Sequence, residues 1–253
     1  MQRINILTFI ILSIFFAAGG NLSAADGKIS AAGGKRLVIS GPIGEGAFID
    51  RTDIEEVMVA EGCGVTEIPD YAFLGCTALK RVHLSADIRK IGYQAFAECD
   101  SLEEIDLPEA LEDIGSNSFA YCRSLGNLTF PDGLTHIGHN AFSFCTSLTR
   151  VWLPDSLKEI ESYAFSDCDR LQEVRLPASD RLLGELMFNC CSSLAVMVEP
   201  SVKVPPFDCD SYIFDPDDKE AYRKCELRVP AESLESYRAN PSWSLFDTIS
   251  PLK

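Results

Sequence analysis

Residues 137–154 read IGHNAFSFCTSLTRVWLP, and variants of this stretch recur along the chain every 23 residues. The most regular marks are a phenylalanine and, three places later, a cysteine. They are Phe73, Phe96, Phe119, Phe142, Phe165 and Phe188, with Cys76, Cys99, Cys122, Cys145, Cys168 and Cys191. A fixed period of this length predicts one structural unit stacked on copies of itself, which is a solenoid.

Each unit begins with a stretch in which apolar and polar residues alternate. In Leu102–Pro108, Ile105 and Leu107 fall on one side and the acidic residues between them on the other. This period of two predicts a half-buried strand. The rest of the unit has irregular apolar spacing, which predicts turns and short 3₁₀ or single-turn α pieces.

A glycine follows the isoleucine of several units. The examples are Gly92, Gly115 and Gly138. Glycine at a recurring position predicts backbone angles that other residues avoid.

Stacking pairs each strand with its equivalents in the neighbouring units and buries the flat sides of every coil. We therefore expect seven or eight strands in one parallel sheet on one side of the molecule. The phenylalanines and the in-register cysteines would form the core beneath the sheet.

The repeat resembles the BspA-like leucine-rich repeats of bacterial surface and secreted proteins. The marks of the resemblance are the run Ala141-Phe142, Cys145 and Leu148, and the strand end Val151–Pro154. It covers most of the chain, from about Leu37 to Met197. The resemblance implies an α/β leucine-rich-repeat solenoid, a curved superhelix with one parallel sheet on one side and short 3₁₀ or helical turns on the other. It also implies surface-associated adhesion to proteins.

The first 25 residues resemble a secretory signal peptide. Arg3 provides a positive charge, Ile4–Ala18 is apolar, and small residues precede a cleavage site near Ala25. The apolar stretch is too short and too often interrupted for a durable membrane span. We therefore expect a secreted or extracytoplasmic protein in the periplasm, at the cell surface or outside the cell.

Three further segments follow. Residues 26–53 are predicted to form an N-terminal cap with a shortened first repeat, and residues 54–200 the solenoid of 23-residue repeats. In residues 201–253 we expect an irregular loop, a strand at Leu227 and Val229, and a short helix that ends at Pro241. Trp243, Phe246 and Ile249 would cover the open end of the stack.

The formal net charge of −16 limits the partner classes. An acidic surface repels phosphate backbones and anionic lipids, so we expect neither nucleic-acid nor membrane binding. Basic protein surfaces are electrostatically easier partners.

The six in-register cysteines are predicted to be buried, weakly reactive thiols. Equivalent side chains in stacked coils point in parallel, whereas a disulfide needs Cβ atoms that face each other. Cys209 and Cys225 lie outside the register and flank an irregular stretch, so they are candidates for a disulfide. Cys190 could pair instead.

Motifs for catalysis, cofactors and metals are weak. The chain has three histidines and lacks a nucleophile elbow, a zinc-protease helix motif and a phosphate-binding loop. We expect no catalytic residues, no cofactor and no metal, although the acidic stretch Asp208–Asp218 leaves a calcium site open. A hydrolase using His83 and Asp106 is the less favoured alternative.

The outward strand positions provide the best candidate site. Trp152 lies between Arg150 and Arg175 in the predicted sheet, and Trp and Arg often dominate interface energies. His83, Asp106 and Thr129 complete the candidate binding residues on the same face. The alternative is that Trp152 covers a neighbouring strand while the arginines pair with Glu173 and Asp106.

These observations favour a non-enzymatic, secreted or cell-surface scaffold that recognises an extracellular or envelope protein, as in adhesion. The alternative is a module that captures glycan or peptide for an envelope uptake system, with Trp152 as a stacking platform. The sequence does not identify the partner.

Overall fold

The structure is a computed structural model that describes residues 29–32, 35–178, 182–201 and 212–252. The described residues form a solenoid whose coils stack in register and pair through parallel strands on two sides, which we call the front and the back sheet. The predicted parallel-sheet solenoid is therefore confirmed. The predicted signal peptide, residues 1–25, lies outside the described residues.

Within the described residues the front sheet consists of two five-stranded halves. The first half contains β1 (Ile29–Ala32), β2 (Arg36–Ile39), β3 (Glu56–Val59), β5 (Arg81–His83) and β7 (Glu104–Asp106). The second contains β10 (Arg150–Trp152), β12 (Glu173–Arg175), β14 (Val196–Val198), β15 (Glu226–Val229) and β16 (Thr248–Pro251). All neighbours are parallel except β1 and β2, so an antiparallel strand closes the N-terminal edge.

The back sheet has six strands of two residues each among the described residues. They are β4 (Glu67–Ile68), β6 (Lys90–Ile91), β8 (Asp113–Ile114), β9 (His136–Ile137), β11 (Glu159–Ile160) and β13 (Leu182–Leu183). The sequence predicts turns and short 3₁₀ or single-turn α pieces here, and no strands. Two-residue strands are too short to show an alternating pattern, so only their equivalent places in each coil reveal them.

The front sheet is interrupted at residues 125–130, where we expected a strand containing Thr129. The side chain of Asn127 takes over part of the pairing, because its Oδ1 accepts hydrogen bonds from the backbone N–H groups of Thr149 (3.0 Å) and Arg150 (2.9 Å). The prediction of one uninterrupted front sheet was wrong at this coil.

The phenylalanines form a continuous stack through the core. Neighbouring ring centroids from Phe48 to Phe188 lie 5.1–5.6 Å apart with interplanar angles of 3–14°. All six repeat phenylalanines are fully buried. Phe130 packs edge-on against Phe142 with centroids 5.6 Å apart. The inside and outside of each coil are therefore as the repeat pattern predicts.

The turn that carries each phenylalanine, which we call the turn side, has a left-handed backbone on both sides of the ring. Non-glycine residues with φ of 50–65° lie two places before and two places after it in successive coils, among them Asn117 and Tyr121. Their N–H groups donate to carbonyls of the next coil, for example Asn117 to His139 at 2.8 Å. These bonds satisfy the backbone where no strand exists.

The recurring glycines serve close packing rather than unusual backbone angles. None of Gly92, Gly115 and Gly138 has a positive φ. A Cβ on Gly138 would lie 2.5 Å from the Ser116 nitrogen of the preceding coil. The prediction about their backbone was wrong, because the limiting factor is the distance between coils.

The C-terminal segment caps the stack. Helix α1 (Lys219–Lys224) precedes β15, and a 3₁₀ turn (Ala231–Ser233) leads into helix α2 (Leu234–Ala239). A second 3₁₀ turn (Trp243–Leu245) precedes β16. Tyr237 and Trp243 are fully buried with ring centroids 5.5 Å apart. The predicted strand and helical cap are present, and none of the described helices has the length and apolar character to span a membrane.

Candidate binding face

Trp152 points outward from β10 on the front sheet, and 53% of its surface is exposed. It is the most exposed large apolar residue in the described part of the chain. The guanidinium of Arg150 lies over its ring, 4.9 Å from the centroid, and Arg150 Nε is 3.4 Å from Glu173 Oε2. Arg150 therefore links the indole ring to the carboxylate of the neighbouring strand through a cation–π contact and an ion pair.

Arg175 lies beside Trp152 in the register of β10 and β12. Its Nη1 donates to the Leu153 carbonyl and to Asp155 Oδ1, each at 3.1 Å. The alternative prediction from the sequence pairs the arginines with Glu173 and Asp106. Arg150 does approach Glu173, whereas Arg175 turns to Asp155 in the loop after β10.

His83 and Asp106 are neighbours on β5 and β7, with His83 Nδ1 3.0 Å from Asp106 Oδ2. His83 Nε2 lies 3.8 Å from Glu56 Oε1 on β3. Within the described residues no hydroxyl or thiol makes a hydrogen bond with His83. The cluster is an open surface network of one imidazole and two carboxylates, whereas a hydrolase of the serine or cysteine type also needs a nucleophile beside the histidine.

Thr129 is exposed on the interrupted coil, between the His83 cluster and Trp152. The structure therefore places five of the six candidate residues on front strands and Thr129 on the connecting segment. The His83–Asp106 pair and the Arg150–Trp152–Arg175 group lie on different halves of the front sheet. They form two separate clusters rather than one site.

The in-register cysteines are buried and make a repeated contact. Each Sγ–H donates to the carbonyl of the phenylalanine 26 residues earlier (28 for Cys76) at 3.0–3.3 Å, as in Cys99 to Phe73. Burial raises the pKa of Cys76 to about 12 and that of Cys122 still higher. Burial therefore favours the protonated thiol at neutral pH, and the low reactivity of the six cysteines stays a prediction.

The proposed disulfide cannot be placed, because Cys209 lies outside the described residues. Cys225 is buried behind β15, and burial raises its pKa to about 12. The calcium site left open at Asp208–Asp218 also lies partly outside the described residues, because Asp208 and Asp210 are not among them. Asp218 has a structural role as the N-cap of α1, where its Oδ1 accepts the Ala221 N–H at 3.0 Å.

A bridging histidine on the back sheet was missed at the sequence level. His136 Nδ1 lies 2.7 Å from Asp113 Oδ1, and its Nε2 lies 3.0 Å from Glu161 Oε1. The hydrogen bond to Asp113 is the main reason that the pKa of His136 rises to about 9. The spacing of 23 residues between Asp113 and His136 could have revealed the contact.

A group of rings on the turn side was also missed. Tyr121 stacks on Phe144 with centroids 4.6 Å apart, and Tyr71 meets Tyr93 edge-on at 5.2 Å. Tyr93 and Tyr121 are each 37% exposed. Tyr71, Tyr121 and Phe144 have left-handed backbone angles, which the apolar pattern of the sequence does not reveal.

Comparisons with known proteins agree with this architecture. The family model described as BspA type leucine rich repeat region matches six copies, over residues 41–145 and 112–204. The crystal structure of a leucine-rich repeat protein of T. pallidum is similar, with 34% identity, a TM-score of 0.57, and coverage of 72% of this chain and 85% of that one. A leucine-rich repeat protein of Bacteroides ovatus has the same fold at 20% identity and a TM-score of 0.55, covering 92% and 77%. No curated protein matches the sequence.

Proposed function

The chain belongs to the BspA-type leucine-rich repeat family, and from this premise we propose that its front sheet binds a protein partner outside the cytoplasm, as an adhesion-type scaffold. Repeat scaffolds of this family are typical protein-binding modules. The composition of residues 1–25 supports export, and the acidic surface favours a partner with basic or neutral contact residues.

The observation that carries the proposal is the exposed Trp152 held under Arg150. A tryptophan on a loop loses conformational freedom when it binds, whereas this ring stands on a strand and contacts the guanidinium of Arg150, which in turn pairs with Glu173. Pre-organised aromatic and arginine side chains lose little entropy on association and are enriched among residues that dominate interfaces.

The neighbouring positions suit a protein contact. Val196 and Val198 on β14 are only partly buried and continue the surface from Glu173 and Arg175. The patch therefore combines a ring, aliphatic side chains and charges of both signs. Aromatic and arginine side chains are enriched at the centre of protein interfaces, and polar side chains are typical of the rim around it.

The test is a pull-down with the chain lacking residues 1–25, immobilised and exposed to extracellular-matrix and cell-envelope proteins. Trp152→Ala should weaken a captured partner's affinity about 30-fold, which is ~2 kcal/mol. Arg89→Ala is the matched control, because Arg89 is an exposed arginine that pairs with Glu112 (2.7 Å) near the back sheet.

The melting temperature of Trp152→Ala should stay close to that of the parent chain. Equal capture by both variants would remove Trp152 from the interface. A large fall in melting temperature would make Trp152 a structural residue and leave the front face without its main support.

A further inference from the structure

Six successive coils carry no charged side chain at the position two places before the buried phenylalanine. This turn-side column consists of Tyr71, Gln94, Asn117, Asn140, Tyr163 and Leu186. Charged residues make up 24% of the chain, and the column two places after the phenylalanine includes Glu98 and Asp167. The column is therefore an uncharged row of six residues in an acidic protein.

The middle of the column is a row of three amides. Gln94, Asn117 and Asn140 are half-buried, and within the described residues their side chains have no hydrogen-bond partner. Their backbones are fixed, because each N–H donates to a carbonyl of the next coil at 2.8–3.2 Å. Three amides are thus held in register, with donors and acceptors that only solvent or a ligand can satisfy.

Aromatic rings flank the amides at both ends. Tyr93 packs on Tyr71 at one end, and His139 meets Tyr163 edge-on at the other, with centroids 5.6 Å apart. Apart from Trp152, the exposed large apolar residues of the described chain are Tyr93 and Tyr121, and both lie on this side. From Tyr71 to Tyr163 the row spans about 19 Å at ~4.8 Å per coil.

Backbone conformation alone does not explain the composition of the column. Every member has a positive φ, which asparagine tolerates better than most residues. Glutamine has no such advantage, and the same position accepts Tyr71, Tyr163 and Leu186. The backbone therefore accounts for two asparagines but not for the absence of charge or for the rings.

We propose that this turn side binds a neutral oligosaccharide. An amide both donates and accepts hydrogen bonds, as a sugar hydroxyl does. Tyrosine rings offer apolar surface to the C–H groups of a sugar and a hydroxyl at the edge. The net charge of −16 disfavours anionic polymers, and the column itself offers no ion pair. The coil spacing is comparable to the advance of one sugar along an extended chain, so consecutive sugars would meet consecutive coils.

The test is calorimetric titration of the chain with cellohexaose, maltohexaose and chitohexaose. Heparin hexasaccharide provides the anionic arm, and a phage-displayed random dodecapeptide library provides the peptide arm. We expect at least one neutral hexasaccharide to bind and heparin not to bind. Trp152→Ala should retain that binding, because Trp152 lies on the front sheet and not on the turn side. Retained binding in this variant therefore distinguishes the oligosaccharide site from the proposed protein-binding face.

The decisive variant is Asn117→Asp with Asn140→Asp. It keeps side-chain shape and tolerance of positive φ, but it removes two NH₂ donor groups and adds charge, so binding should weaken about tenfold or more. Gln172→Glu is the matched control, because it makes the same chemical change at an exposed amide next to β12. Circular dichroism and the melting temperature confirm that each variant folds.

Three results would overturn the proposal. The first is that no neutral hexasaccharide binds at millimolar concentration. The second is that a hexasaccharide binds but the double variant binds it equally well. The third is that only heparin or peptides bind.

Discussion

The front and the back sheet share one 23-residue period, yet the back sheet runs unbroken from β4 to β13 while the front sheet stops after β7 and resumes at β10. Four of the six back strands are followed by a glycine at which a Cβ would lie within 3 Å of the neighbouring coil, namely Gly92, Gly115, Gly138 and Gly184. The front strands direct alternate side chains to solvent, as the exposed Arg150 and Trp152 show. The back sheet and the phenylalanine stack therefore fix the distance between coils, and the front sheet can vary its surface without losing the fold.

The largest effect is expected in the ring stack that both sheets enclose. Phe119→Ala should lower the free energy of unfolding by ~3–5 kcal/mol, because it opens a cavity between Phe96 and Phe142. Chemical denaturation measures the change. Phe119→Leu, which leaves a smaller cavity, should cost less, and a loss below about 1 kcal/mol for the alanine variant would contradict the stacked core.

A glycine pair compares the two sheets directly. Gly138→Ala should destabilise the protein by about 2–3 kcal/mol, because the new Cβ would lie 2.5 Å from the Ser116 backbone. Gly126→Ala makes the same change on the front side, where the nearest atom, the Glu103 oxygen, is 3.5 Å away in ordinary contact.

The Gly126 variant should therefore stay within about 0.5 kcal/mol of the parent chain. Thermal and denaturant unfolding of both variants check the comparison. Similar losses for the two would show that the front coils are packed as closely as the back ones.

The break in the front sheet predicts a smaller effect at Asn127. Asn127→Ala should cost about 1 kcal/mol and speed hydrogen exchange at the Thr149 and Arg150 amides, because both lose their acceptor while solvent can replace it. Thr129→Ala, on the same exposed segment, is the control and should change neither quantity. A loss as large as that of Gly138→Ala would mean that the front sheet fixes the coil spacing as well.

The period alone predicts most of the fold. It indicates which residues stack, so the core rings, the buried thiols and the His83–Asp106 neighbours follow from a spacing of 23. The break at residues 125–130 does not follow, because Leu125, Leu128 and Phe130 keep the apolar alternation of a strand. Whether Asn127 or the backbone pairs with the next coil depends on shifts smaller than a residue.

The candidate sites are less predictable than the core. Arg175 pairs with Asp155 and not with Glu173, and this contact depends on the path of the loop after β10. The turn-side column is visible as a spacing, but its outward direction depends on left-handed φ angles that Tyr, Gln and Leu rarely adopt. Sequence patterns specify burial well and surface direction poorly wherever the backbone departs from a strand or helix.

The smallest predicted effect is a pH dependence that belongs to the back sheet. The hydrogen bond from His136 to Asp113, and a second one to Glu161, raise the pKa of His136 to about 9 in the folded protein, above the ordinary value of 6.5. A raised pKa means that the stabilisation is fully present below about pH 6.5 and is lost as the pH rises through 9. The pair is partly exposed, so its contribution should be under ~1 kcal/mol.

At acidic pH the stabilisation from the same pair depends on pH in the opposite direction, because there it is Asp113 that titrates. The same hydrogen bond lowers the pKa of Asp113, so that contribution disappears as the pH falls below the ordinary value of 3.8. Denaturation curves of the parent chain and of His136→Gln, taken from pH 5 to 10, should converge at the alkaline end. Glu159→Gln is the control, because Glu159 on the neighbouring strand β11 makes no ion pair with His136 among the described contacts. The difference in free energy of unfolding between this variant and the parent chain should not shrink towards pH 10. A constant gap between the parent chain and His136→Gln over this range would show that His136 has the same pKa in the folded and the unfolded protein, so that its contacts with Asp113 and Glu161 contribute no pH-dependent stability.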